Sequence, residues 1–322
     1  MSTTIDIDAI NAQASVWMKR GLALLDARSP ASLTEAIAYF DRAIDLRRRL
    51  PLDTKPALRY GLAAGWLNRG DALTRLGGED DLAAALAAFD EALRLLDGLP
   101  LDDDPRVRRR VAIAWHNRGL ALQAQGGARS TDARQAFERA RDLLEDPRAA
   151  VIPDRALLLA TAWTNLANAW LGDESVDGIY RAKAGAERAM TIVDPSAVHI
   201  DLAVAEVAIK ARHVLCQAIA LLLSETPTDD EATRHHVDAA TDAVDDGLAI
   251  ARRWEQQGVD RFRGLAYDLV RFGARVYRLY QPQFLSEFVL ENLDPAQSSG
   301  AYVGSHEMRA AALESLWLSF RR

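Results

Sequence analysis

The sequence predicts an all-α chain: a solenoid of antiparallel helix pairs, closed at its C-terminal end by a capping helix. Three observations predict it. A tryptophan-led motif recurs in phase at Trp17, Trp66, Trp115 and Trp163, at spacings of 49, 49 and 48 residues. Alanine, which loses no side-chain entropy on entering a helix, is abundant, while Gly (19) and Pro (11) are scarce for 322 residues. No stretch alternates apolar and polar residues as a half-buried strand does.

Each unit predicts two helices. The first carries the tryptophan and, one turn later, a small residue: WMKRGLAL from Trp17, WLNRGDAL from Trp66, WHNRGLAL from Trp115 and WTNLANAW from Trp163. Gly21, Gly70, Gly119 and Ala167 leave room for a neighbouring helix to approach, with the indole beside them. The second helix carries Ala36, Phe40 and Ala43, then Ala85, Phe89 and Ala92, then Ala133, Phe137 and Ala140, weakening to Ala182, Ala186 and Ala189. Residues at i, i+4 and i+7 share one helix face, which must pack on the first helix. A proline closes each unit at Pro51, Pro100, Pro147 and Pro195. Asp104-Pro105 and Pro153-Asp154 suit helix starts, and Gly77-Gly78 and Gly126-Gly127 suit helix stops.

Continuing the period places a divergent fifth first helix around Ala211, with its partner over 231–254. A sixth pair follows over 259–280 and 282–293, with Gly273 in the small-residue position. The last helix begins at Ser305 and shows a Met308, Ala312, Leu316, Phe320 stripe; it reads as the cap a repeat stack needs at its exposed end. The organisation is thus five helix pairs over 1–255, then the sixth pair and cap over 256–322.

Trp, Gly four residues on, a large apolar residue three further, then Ala-x-x-x-Phe and a closing Pro: this pattern resembles the tetratricopeptide repeat. The departures are a period longer than the family's usual ~34 residues, Arg20, Arg69 and Arg118 where Leu is common, and Ala167 where Gly is usual. The resemblance implies a right-handed superhelix whose first helices line a concave groove. It also implies which residues face that groove. Two residues after the tryptophan position stand Lys19, Asn68, Asn117, Asn165 and His213. Five after it stand Leu22, Asp71, Leu120, Asn168 and Cys216. Directly after it stand Met18, Leu67, His116, Thr164 and Arg212. The candidate ligand-binding residues are Asn68, Asn117, Asn165, Asn168, His116, His213 and Arg212. Asparagine both donates and accepts, so a ladder of amides can pair with a peptide backbone of any side-chain sequence. Solvated or internally bonded asparagines are an equal alternative. Family members that hold chaperone tails use a Lys and Asn set that Met18, Leu22, Leu67 and Thr164 do not reproduce. Arg69 and Arg118 are expected to pair with Asp41 or Asp90 and tie repeats together.

Signatures of catalysis are missing from the sequence. The six histidines (His116, His199, His213, His235, His236 and His306) form no H-E-x-x-H motif, and a single Cys216 cannot build a cysteine zinc site or an internal disulfide. Neither a phosphate loop nor a G-x-S-x-G elbow occurs. No enzyme activity, cofactor or metal is expected. A net charge of −7 disfavours nucleic acid as a partner. The run Arg106 to Arg110 reads as a helix start paired with Asp102 to Asp104. No apolar run reaches the ~18 residues of a membrane span, and the N-terminus lacks a signal-peptide pattern, so a cytoplasmic protein is expected. Four lysines against many arginines, with abundant Ala and Asp, point to a GC-rich bacterial genome.

Three functional readings follow. The first is an adaptor or scaffold holding a protein or peptide in its groove. The second is a small-molecule sensor or enzyme accessory with a pocket near Tyr267, Phe272, Tyr277, Tyr280, Phe284 and Phe288, residues that otherwise read as core. The third is a structural protein that self-assembles as a homo-oligomer.

Overall fold

The computed structural model describes residues 6–25, 29–126, 130–173, 175–225 and 231–280, together with 285 and 288. Among them are eleven α-helices and no strand: α1 (Ile7–Leu25), α2 (Pro30–Arg48), α3 (Pro56–Leu76), α4 (Glu79–Leu96), α5 (Pro105–Gln125), α6 (Ser130–Glu145), α7 (Arg155–Leu171), α8 (Val176–Ile192), α9 (Leu202–Glu225), α10 (Glu231–Gln256) and α11 (Arg263–Tyr280). Short 3-10 turns at Pro147–Val151 and Ala197–His199 precede α7 and α9. The second helix of the sixth pair, beyond Leu285 and Phe288, and the capping helix from Ser305 lie outside the described residues. No helix among those described is long and apolar enough to cross a membrane.

Local chemistry sets the helix ends. Pro56 and Pro105 open α3 and α5, where a missing N–H leaves no partner wanting. Ser29, Asp104 and Ser175 cap α2, α5 and α8, their side-chain oxygens accepting from the backbone N–H groups of Ser32, Arg106 and Gly178. Gly77, at φ 76°, ends α3 in the left-handed conformation, and with Gly78 it makes a turn short enough to lay α4 back along α3.

Contacts divide the chain into two units, Met1–Ala162 and Trp163–Arg322. In the first, α1 packs on α2, α3 on α4 and α5 on α6, and each pair meets the next through α2 with α3 and α4 with α5. The first helices also touch in succession, α1 with α3 and α3 with α5, whereas among the described residues no contact joins α2, α4 and α6 to one another. The first helices therefore form one continuous, more tightly drawn face.

The small-residue position has a specific occupant. Phe40, Phe89 and Phe137 are fully buried, and each ring edge lies in the space a side chain at Gly21, Gly70 or Gly119 would take. A Cβ at Gly70 would fall 2.5 Å from Phe89, and one at Gly119 2.6 Å from Phe137. So the second-helix phenylalanine fills that space. The indoles of Trp17, Trp66 and Trp115 are only half-buried and lie under guanidinium groups. Arg20 is 4.8 Å and Arg42 5.1 Å from Trp17, Arg48 is 4.8 Å from Trp66, and Arg118 is 5.7 Å from Trp115.

Arg69 and Arg118 pair across the repeats as expected, with Nε 2.7 Å from Asp41 and from Asp90 respectively. The basic run is also paired: Arg106 with Asp104, buried Arg108 with Asp102 at 2.9 Å, and Arg109 with Asp154. One buried charge was not expected. Arg47 stands in the register of the core leucines Leu96 and Leu144, and it donates to Asn11 Oδ1, the Ser15 hydroxyl and the Gly61 carbonyl. Burial and the nearby Arg110 lower its pKa.

The second unit varies the same lock. In the fourth pair Ala186 stands where Phe would, and the bulk moves to the first helix as buried Trp170. Gly185 of α8 makes room for it, since a Cβ there would lie 3.1 Å from Ala167 and 3.3 Å from Trp170. In the sixth pair Gly273 takes the small-residue role assigned to it, with a Cβ position 2.6 Å from Phe288. α9 packs on α8, α10 and α11, so the first helices α9 and α11 again touch. Trp254, which the repeat pattern does not single out, donates its indole N–H to the Val198 carbonyl at 2.8 Å and pins the end of α10 to the second 3-10 turn.

Candidate functional site

The residues expected to line the groove separate by position. Directly after the tryptophan position, Met18, Leu67 and Thr164 are buried in the core and face no groove. His116, from the same series, packs on Phe137 with ring centroids 5.5 Å apart. Arg212 turns toward α10, donating to Asp246 at 3.1 Å and to the Ala208 carbonyl at 3.1 Å. Cys216, five after, is buried against α10, its thiol 3.7 Å from the Ala240 carbonyl; burial pushes the thiol up to about 12, which keeps it protonated. Asn168 is exposed.

The series two residues after the tryptophan position stays accessible. Asn68, Asn117, Asn165 and His213 are half-buried and Lys19 is exposed. Asn68 and Asn117 make no side-chain hydrogen bond to another described residue. They lie on α3 and α5, the touching first helices of the first unit.

In the second unit this series opens onto a cleft of about 270 Å³ between α9 and α11, lined by His213, Gln217, Asp268, Arg271, Phe272 and Arg275. His213 and Gln217 are one turn apart on α9; Asp268, Arg271, Phe272 and Arg275 share one face of α11. The His213 ring meets Phe272 edge-on at 5.5 Å and stands 3.8 Å from the Asp268 carboxylate, too far for a hydrogen bond. Burial lowers the His213 pKa and Asp268 works against that, so the imidazole is neutral at neutral pH. Arg271 and Arg275 are exposed, and neither has an ion pair among the described residues. Arg271 lies 5.9 Å from the Tyr267 ring.

This cleft was partly legible. Counting back from Gly273 puts Leu269 in the tryptophan position, so Arg271 continues the series Lys19, Asn68, Asn117, Asn165, His213. Divergence of the sixth pair hid that register. The aromatic region divides: Phe272 borders the cleft, Tyr277 packs on Phe288 at 4.8 Å, and the Tyr280 hydroxyl donates to the Leu223 carbonyl at 3.0 Å. Phe284 lies outside the described residues. A second, apolar cleft of about 200 Å³ lies beside the starts of α3 and α5, among Pro56, Tyr60, Leu99, Pro100 and Val107, its Asp104 and Arg106 already paired with each other. Among the described residues, no group of three or more His, Cys, Asp or Glu is placed to hold a metal ion.

Neither a family model nor a curated protein sequence matches the chain. A solved structure does: the crystal structure of BtubC (BKLC) from P. vanneervenii, at 16% identity over 90% of this chain and 92% of that one, with a TM-score of 0.55. The chain is similar to BtubC in fold. At this identity the likeness extends to the all-helical fold along nearly the full length of both chains, and no residue of the cleft is carried over from it.

Proposed function

We propose that the chain is a non-catalytic adaptor of the tetratricopeptide type, wound as a right-handed superhelix, that holds a protein or peptide segment along the face of its first helices. The observation that carries this reading is the asymmetry of contacts in the first unit. First helices touch in succession while second helices, among the described residues, do not, which favours a concave, continuous first-helix face. Accessible amides at Asn68 and Asn117 sit on that face, suited to a peptide backbone.

The test is capture of a binding partner, followed by Asn68→Ala with Asn117→Ala. The pair should weaken binding by about 0.5–1.5 kcal/mol for each lost hydrogen bond while leaving the melting temperature nearly unchanged. Full affinity in the double variant, or lost stability with affinity intact, would remove the amide series as a ligand surface. A second reading, a small-molecule sensor, is favoured by the α9–α11 cleft with its neutral His213. Calorimetric titration with small metabolites in place of peptides separates the two.

A further inference from the structure

We propose that the face of α1 turned away from α3, with the adjoining edge of α2, is a dimerisation surface that meets the same face of a second copy of this chain. This surface is separate from the groove and does not depend on the adaptor reading.

Register shows which side of a first helix receives a neighbour. In α3 and α5 the residue before the tryptophan is small and buried. It is Gly65, where a Cβ would fall 2.9 Å from Ile44 of α2, and Ala114. Three residues after the tryptophan, Arg69 and Arg118 reach back to Asp41 of α2 and Asp90 of α4. That side of each first helix is therefore where another pair packs. In α1 the same two positions hold Val16 and Arg20. Val16 is 49% exposed, and exposed Arg20 has no ion pair among the described residues. Gln13 stands in the register of buried Leu62, which keeps the face too polar for a permanent interface and suits a reversible one.

Charge selects a second copy as the occupant. Beside Val16, the Trp17 indole stacks on Tyr39 with centroids 5.5 Å apart and lies under Arg20 and Arg42. Tyr39 stands where the next two pairs carry buried Ala88 and Ala136, so a large ring with a polar tip replaces a methyl group at this face. Glu35, one turn before Tyr39 on α2, is exposed and accepts from the Tyr39 hydroxyl at 3.0 Å. Neither Glu35 nor Arg42 has an ion pair among the described residues. The face thus surrounds an apolar centre with two guanidinium groups and one carboxylate, all without a salt bridge. Such a face is self-complementary. About a twofold axis, Glu35 of each copy meets Arg20 or Arg42 of the other, and both sets of pairs form at once. The internal ties of Arg69 to Asp41 and Arg118 to Asp90 show the same chemistry joining one pair to the next.

The experiment is sedimentation of the full chain over a concentration series, with hydrogen exchange followed at its two ends. The mass should double as concentration rises, and exchange in α1 should slow with it. Arg20→Glu with Arg42→Glu should weaken the dimer at least tenfold. Glu35→Arg, which leaves the guanidinium cover of Trp17 in place, should do the same with an unchanged melting temperature, because the side chain is exposed. Arg49→Glu with Arg139→Glu reverses the same charge at exposed sites elsewhere and should leave the dimer intact. Mixing the Arg20→Glu, Arg42→Glu chain with the Glu35→Arg chain should restore the doubled mass, since opposite charges then face each other at both sites. A monomer at every concentration, a dimer that leaves exchange in α1 unchanged, an equal loss in the control pair, or a mixture that stays monomeric each overturns the proposal.

Discussion

At the scale of single residues, the repeat is a lock between a glycine and a phenylalanine. Gly70→Ala illustrates the energetics because two effects oppose. Alanine gains about 0.5–1 kcal/mol of helix propensity over glycine. Its Cβ, however, would fall 2.5 Å from the ring of Phe89, which is fully buried and has nowhere to go. Overpacking of this kind costs about 1–3 kcal/mol, so a net loss is expected in urea denaturation. Gly264→Ala, on exposed helix with nothing within 4 Å of the new Cβ, should be neutral or mildly stabilising. Equal effects at the two sites would sink the lock. Glycine and phenylalanine were each visible in the sequence; that they touch was not. Their separation of 18 or 19 residues crosses a turn whose geometry the pattern does not specify.

At the scale of helices, the Arg–Asp ties between repeats were legible, since Arg69 and Arg118 recur at one period from each other, as do Asp41 and Asp90. Their worth is modest. Asp90 is 57% exposed and Arg118 26%, so solvent screens the pair. A double-mutant cycle on Arg118→Ala and Asp90→Ala should give a coupling of about 0.2–1 kcal/mol, falling as salt rises. The single change at Arg118 should cost more than the coupling, because its guanidinium also covers Trp115 at 5.7 Å. A coupling above that range, insensitive to salt, would mean the pair is effectively buried. The groove series was half-legible for a related reason. A helix presents several registers, and the sequence ranks their polarity without saying which neighbour covers them. Thr164 and Arg212 look as ligand-ready as Asn117, yet one is buried and the other is held by α10.

At the scale of the molecule, stacking makes position along the array matter. Phe40 and Phe89 are both fully buried, each against its own glycine, so local truncation cost is matched at about 3–5 kcal/mol. Their neighbours differ: α3 and α4 are flanked by pairs on both sides, α1 and α2 by one. Phe89→Ala should therefore destabilise the first unit cooperatively, whereas loss at Phe40 is capped by fraying of the terminal pair. Hydrogen exchange resolves this, with Phe40→Ala raising exchange in α1 and α2 and Phe89→Ala raising it across the unit. Identical, global exchange in both variants would argue against stacked repeats. By itself the sequence determined the helices, their pairing and their period, because apolar spacing, proline starts and glycine stops act within a few residues of chain. Only the tertiary structure decided what fills the glycine notch, which polar positions stay open, and that Arg271 and Arg275 line a cleft with His213. Those depend on which side chains meet across helices distant in sequence, and packing is settled by the volume and charge of all the neighbours together.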